Sequence, residues 1–323
     1  MATADVAAVI EAAGSYLPAL MKRLEERLAQ LAIGHGAVLA RHASETIAAG
    51  GKRLRPLLVF VAAGAPTEAN EAGVLRAAVA VELVHSATLV HDDVLDRAPL
   101  RRGRPTVMAT AGREMATATG DLLFSRAFAE LAANGRPEEI KVLSQASSAL
   151  ARGELLQRGD AWSSTVTIER YLHRCELKTA TLFQAACELG ALEGGESPAG
   201  LAAFGRRIGL AFQLLDDVLD VSGPVARTGK DRGTDLLDGT VTLPLILARE
   251  RSPDIAALDM RTITTPQAAE QLCDQIEATG VLGEARMRAL KVVAEAKAGL
   301  PVLPHRQRRA LELIADGVVE RYA

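Results

Sequence analysis

Residues 72–96 read AGVLRAAVAVELVHSATLVHDDVLD, a stretch rich in alanine, valine and leucine with one early glycine and no proline. It is several times longer than an ordinary strand and has few breakers, so it predicts one long helix. Residues 113–133 and 199–221 have the same character. Strand-like alternation is brief, near Thr165-Val166-Thr167-Ile168, and aromatic residues make up 3% of the chain. The fold class expected is all-α. A chain of 323 residues can bury a sizeable core as one large domain or two ordinary ones, and the uniform composition favours one, spanning 1–323. Gly64-Ala65-Pro66, Asn134-Gly135-Arg136-Pro137, Glu193 to Pro198 and Ser222-Gly223-Pro224 read as turns between helices, and none as a domain linker.

The opening stretch ends in Asp92-Asp93-Val94-Leu95-Asp96, and the same spelling returns at Asp216-Asp217-Val218-Leu219-Asp220. At helical spacing Asp92 and Asp96 share a face, as do Asp216 and Asp220, whereas Asp93 and Asp217 point about 100° away. Two carboxylates about 6 Å apart repel by roughly 2–3 kcal/mol at an effective dielectric of ~20, so two such pairs call for cations. A solvated helix face is the plain alternative. The apolar flanks, Leu89-Val90 and Phe212 to Leu215, argue against it, because acids in apolar helix are costly unless paired. Hard oxygen ligands favour Mg²⁺, which completes its shell with water and substrate phosphate. The sequences around the two copies do not match, so they read as two separate helices converging on one cavity rather than as an internal duplication.

Basic residues accompany the acids. Gly50-Gly51-Lys52-Arg53-Leu54-Arg55-Pro56 sets three cations after a glycine pair, Arg101-Arg102-Gly103 follows Asp96, and Gly229-Lys230-Asp231 follows Asp220. Segments 97–106 and 222–242 therefore read as loops at the mouth of a site. A short basic turn is commonly mere surface. Acids in apolar helices and bases in glycine loops, alternating along the chain, are what a metal-bridged diphosphate site requires.

The remaining composition excludes other classes. A net charge of −3 gives no electrostatic case for nucleic acid or an anionic membrane. Cys175, Cys187 and Cys273 are odd in number and form no CxxC, so neither a disulfide framework nor a zinc site is indicated, and a reducing cytoplasm fits. The amino terminus does not read as a signal peptide, and no run of 18 apolar residues suggests a transmembrane segment.

In this order the motifs resemble the trans-type polyprenyl diphosphate synthases: GGKRLRP (50–56), ELVH (82–85), HDDVLD (91–96), RRGRPT (101–106), GD (120–121), GELLQ (153–157), KTATLF (178–183), FQLLDDVLD (212–220), and GKDRGTDLLDG followed by TLP (229–244). The resemblance covers nearly the whole chain. It implies an isoprenoid synthase type fold, a single bundle of mostly antiparallel helices around a deep central cavity, usually homodimeric. It also implies Mg²⁺-dependent head-to-tail condensation of isopentenyl diphosphate with an allylic diphosphate. By the same resemblance Asp92, Asp96 and Asp216 would bind the Mg²⁺ that grips the allylic diphosphate, with Asp220 an outer participant. Arg101, Lys178 and Lys230 would hold that same group. Lys52, Arg55, His85 and Arg102 would hold isopentenyl diphosphate, and Thr179 and Gln213 would offer oxygens to the allylic cation. For Thr179 and Gln213 the ordinary alternative is plain helix polarity; for His85 it is a satisfied core histidine.

Where the family often places lysine after the glycine of the last loop, Thr240 follows Gly239. Weaker or altered allylic diphosphate binding is expected, without loss of activity. The family's product grows down the cavity from the first aspartate cluster, and the residues about one turn below, Ala87 and Thr88, are small, as are Val84 and Val81 beyond them. A product longer than geranylgeranyl diphosphate is expected, with geranylgeranyl diphosphate the alternative, and with Met115, Leu122 and Phe124 on another segment able to raise the floor. Two rivals remain. A terpene cyclase would lack the GGKRLRP and RRG elements, and a non-catalytic subunit of a prenyl synthase usually loses an aspartate motif; this chain keeps them all.

Overall fold

The computed structural model describes residues 3–33, 36–223 and 232–320. The three long helices expected from composition are present at Glu71–Leu95, Arg113–Ala132 and Pro198–Ser222, and the fold is all-α. Among the described residues the only strands are Leu100–Arg101 and Arg104–Pro105. They form an antiparallel hairpin inside the segment expected to be a loop, with Leu100 opposite Pro105 and Arg101 opposite Arg104. Its two-residue turn is Arg102-Gly103, at φ 52° and 73°. Positive φ at both positions is what the right-handed twist of a tight hairpin demands. The brief alternation at 165–168 makes no strand. Thr167 instead caps the Ile168–Cys175 helix, its Oγ1 accepting from the Arg170 N–H at 3.2 Å.

The chain divides into two compact units: Met1–Ser147, Leu182–Gly205 and Gly299–Ile314 make one, and Ser148–Thr181, Arg206–Ala298 and Ala315–Ala323 the other. In the first, Tyr16–Ala32 buries Leu17, Leu20, Leu24, Leu28 and Leu31 at helical spacing. Each such side chain contributes about 1.5–3 kcal/mol by leaving water. Glu71–Leu95 is enclosed on all sides over its middle, with Val79, Ala80, Val81, Leu83 and Val84 at 0% exposure. Leu54–Ala63 approaches Thr181–Gly194 so closely that a Cβ on Gly190 would lie 2.4 Å from the Val59 carbonyl oxygen. Only glycine permits that approach.

The second unit holds Ile168–Cys175, a π-helical turn at Glu176–Ala180, and the helices Leu243–Arg251, Pro266–Ala278 and Val281–Ala298. Leu243 to Ala248 are all buried. Arg174, 3% exposed, donates from Nη2 to the Val241 carbonyl at 2.5 Å and so ties the segment before that helix to Ile168–Cys175.

Among the described residues one helix, Glu71–Leu95, is long and apolar enough to cross a bilayer, although no unbroken apolar run marks it in the sequence. It also carries buried Glu82 and Asp93, and 67% of its apolar window is buried against protein, which is the environment of a core helix.

Candidate active site

In the first unit Asp92 lies in the last turn of Glu71–Leu95, and Asp96 is its C-cap, the Asp96 N–H donating to the Asp92 carbonyl at 2.8 Å. Carboxylates at a helix C-terminus face the negative end of the helix dipole, which adds to their mutual repulsion. Asp92 is half-buried and Asp96 exposed, so both residues keep accessible surface. Asp93 turns inward. It is 5% exposed and accepts from Arg101 Nε at 2.6 Å, an interaction that the hairpin at 100–105 positions.

The basic segment divides its labour. Arg53, at φ 47° and 7% exposed, bonds Glu25 at 2.6 and 2.9 Å, Glu82 at 2.6 Å and the Ile47 carbonyl at 3.1 Å. It is a structural clasp. Lys52 is exposed. Arg55 lays its guanidinium over the Phe183 ring at 4.5 Å and keeps a buried Nε with no hydrogen-bond partner. Burial pushes its pKa down to about 10, with Arg102 adding and Glu82 opposing. Arg102 reaches back over Gly51, where a Cβ would sit 3.0 Å from Nη1. Burial, followed by Arg55, Arg102, Arg101 and Arg53, holds His85 well below its usual pKa. A neutral histidine beside four arginines is an environment that an anion would relieve.

The second unit repeats the first theme. Asp216 and Asp220 are half-buried in the last two turns of Pro198–Ser222, with Asp220 in the final turn. Asp220 accepts from the Asp235 N–H at 3.2 Å through its side chain and from the Gly233 N–H at 2.9 Å through its carbonyl. Asp217, 3% exposed, is again the inward member, taking the Tyr171 hydroxyl at 2.5 Å and Gln213 Nε2 at 2.7 Å. Burial raises its pKa, with Asp235 and Asp216 adding. Lys178 and Thr179 lie on the π-helical turn, a distortion common at functional sites. Lys178 Nζ pairs with Glu154 at 2.6 Å, and Thr179 donates to Gln213 Oε1 at 2.7 Å. Thr240 is 9% exposed, and its N–H donates to the Asp235 carbonyl at 2.8 Å.

Within the first unit, therefore, the charges of Arg55, Arg101 and Arg102 all bear on His85, while Lys52 stands at the surface. Within the second, Thr179 and Gln213 are joined directly. Lys230 lies outside the described residues. Of the residues read as setting product length, Ala87 and Val84 are fully enclosed, whereas Thr88 is half-buried and donates to the His85 carbonyl at 2.8 Å. Phe124 stacks on His91 with ring centroids 5.7 Å apart. Sequence reasoning missed the parts played by Glu82, Glu154 and Tyr171. The two glutamates sit inside the quoted motifs ELVH and GELLQ, which could have flagged them; nothing local marks Tyr171.

Among the described residues no three His, Cys, Asp or Glu side chains gather as a closed metal cage. Each outward pair offers oxygen donors only. That set suits a hard divalent ion that keeps water and substrate phosphate in its shell, as Mg²⁺ does, and does not suit zinc.

A predominantly helical molecule with carboxylate pairs near helix C-termini, and with several arginines whose charge bears on a buried histidine, is of a class suited to polyanionic substrates. The polyprenyl synthetase family model matches residues 37–278. Heptaprenyl diphosphate synthase component 2 of Geobacillus stearothermophilus is 39% identical over 267 residues, covering 80% of this chain and 83% of the relative. Geranylgeranyl diphosphate synthase of Methanosarcina mazei is 39% identical over 285 residues, covering 84% and 86%. The crystal structure of polyprenyl synthase from Caulobacter crescentus CB15 complexed with calcium and isoprenyl diphosphate superposes with a TM-score of 0.88 at 33% identity, covering 97% of this chain and 98% of that one. The chain belongs to the polyprenyl synthetase family. It is a trans-prenyltransferase, a polyprenyl diphosphate synthase with the isoprenoid synthase fold.

Proposed function

We propose that the enzyme works as a single domain, Mg²⁺-dependent and homodimeric in the cytoplasm, and extends an allylic diphosphate with isopentenyl diphosphate beyond the geranylgeranyl length. One observation carries the reading. In both DDVLD copies the first and fifth aspartates keep accessible surface near a helix C-terminus, while the second is buried and bonded inward. Asp92, Asp96 and Asp216 hold Mg²⁺, with Asp220 assisting. Bound there, Mg²⁺ supplies positive charge that stabilises the departing diphosphate. The solved Caulobacter relative, complexed with calcium and isoprenyl diphosphate, supports a divalent ion alongside the diphosphate.

Arg101, Lys178 and Lys230 bind the allylic diphosphate and lower the barrier to the extent that they favour the leaving group over the ground state. Arg55 and Arg102, with Lys52 at the rim and His85 donating as a neutral imidazole, hold isopentenyl diphosphate and aim its alkene at the allylic carbon. Thr179 and Gln213 present oxygens to the positive charge that develops there. The alkene carbon forms the new bond, and a proton is then lost to the released diphosphate. The three buried free cysteines suit a reducing compartment.

For product length, the side chains one and two turns below Asp92 are small, and Thr88 is the one of the three with accessible surface. The purified enzyme, given labelled isopentenyl diphosphate and a panel of allylic primers, should yield products longer than C20 with Mg²⁺ and none with chelator. Thr88→Phe should shorten them. Activity undiminished by chelator, or an unchanged product ladder in the variant, would count against the respective part of the reading, and light scattering that gave a monomer would remove the homodimer.

A further inference from the structure

The second unit holds a line of three side-chain hydrogen bonds that starts at a buried residue with no assigned role. Tyr171, 0% exposed on the Ile168–Cys175 helix, donates its hydroxyl to Asp217 Oδ2 at 2.5 Å. Gln213 Nε2 donates to the other oxygen, Oδ1, at 2.7 Å. Thr179 Oγ1 donates to Gln213 Oε1 at 2.7 Å. We propose that Tyr171 is a positioning residue that fixes the polarity of the Thr179–Gln213 pair by locking Asp217. This rests on the reading in which Thr179 and Gln213 face the reacting carbon.

The argument is one of donors and acceptors. Both Asp217 oxygens accept, Oδ2 from Tyr171 and Oδ1 from Gln213 Nε2, so the Gln213 amide turns its NH₂ toward Asp217 and its carbonyl oxygen toward Thr179. Thr179 has a single hydroxyl hydrogen, and that carbonyl takes it. The lone pairs of Oγ1 therefore point away from Gln213, and a positive centre meets an oxygen rather than a proton. Tyr171 matters because it engages the second carboxylate oxygen. Without it Asp217 Oδ2 is buried and short of a partner, the carboxylate is free to rotate, and the amide can turn over. The Thr179 hydrogen would then face the developing charge. The alternative is that Tyr171 is simply a satisfied core tyrosine, its ring fixed by the Arg174 guanidinium at 5.4 Å.

Tyr171→Phe separates the two, since phenylalanine keeps the ring and its packing and removes one donor. Steady-state kinetics with an allylic primer and isopentenyl diphosphate should show kcat reduced roughly tenfold, the size of one hydrogen bond felt in the transition state, with both KM values within about twofold. In a Gln213→Ala background the same substitution should add little, because the relay is already cut. An unchanged kcat, or a loss that multiplies with that of Gln213→Ala while KM rises and the melting temperature falls, overturns the proposal. If Gln213→Ala and Thr179→Val both leave kcat intact, the pair's role at the reacting carbon fails and takes this proposal with it. If they lower kcat and Tyr171→Phe does not, only the positioning role falls.

Discussion

In DDVLD the second aspartate and its neighbours do different work, and burial makes the division. Asp93 and Asp217 are nearly inaccessible and bonded to Arg101 and to Tyr171 with Gln213, so neither is available to a ligand, whereas Asp92, Asp96, Asp216 and Asp220 keep accessible surface. The helical period predicts which member diverges, and it cannot supply the partner. The same holds in GGKRLRP, where Arg53 and Arg55 look equivalent as letters. A left-handed backbone turns Arg53 onto Glu25 and Glu82, while Arg55 keeps an unpaired buried Nε. By the resemblance, lysine is expected where Thr240 stands. Thr240→Lys should restore a cation and lower the KM for the allylic diphosphate severalfold, about 1 kcal/mol of charge-assisted contact, with kcat little changed. Steady-state titration of the primer checks this, and a higher KM would contradict it.

At the level of elements, the long helices were legible because alanine, leucine and valine run on without breakers, and their observed ends fall within a residue or so of the composition limits. The hairpin at 100–105 was not, since two-residue strands carry no periodicity. Nor was the π-helical turn at Glu176–Ala180, which places Lys178 and Thr179. Its neighbour is Gly153, where a Cβ would come within 2.6 Å of the Lys178 backbone nitrogen and 2.8 Å of its Cα. Gly153→Ala should therefore displace that turn. A loss of at least about tenfold in kcat/KM with a lowered melting temperature is expected, in keeping with overpacking costs of about 1–3 kcal/mol. Gly159→Ala, on the same helix with nothing within 4 Å of the added carbon, should behave as wild type. Equal activity of the two variants would show that the close approach is unimportant.

At the scale of the whole molecule, two buried glutamates of the first unit lie side by side. Glu139, 0% exposed, lies against Glu193, with Asn134 Nδ2 donating to both at 2.9 and 3.1 Å and Arg136 3.8 and 3.7 Å from them. Burial and the neighbouring carboxyl push the Glu139 pKa up to about 8. A carboxyl that titrates in the ordinary range when unfolded and near 8 when folded retains its proton only in the fold. Its stabilisation is complete at acid pH and is lost as pH rises through about 8. Glu139→Gln mimics the protonated form, so its melting temperature should match wild type near pH 5 and exceed it by a few degrees near pH 8.5. A constant difference across that range would refute the raised Glu139 pKa. The sequence by itself determined the helical class, the two carboxylate pairs and the order of basic loops, because these depend on local spacing and composition. Only the tertiary structure decided which arginine clasps and which stays available, that Tyr171 reaches Asp217, and that Lys178 rides on a π-helical turn over Gly153. Those outcomes depend on burial and on partners distant in the chain, and a one-dimensional pattern does not encode them visibly.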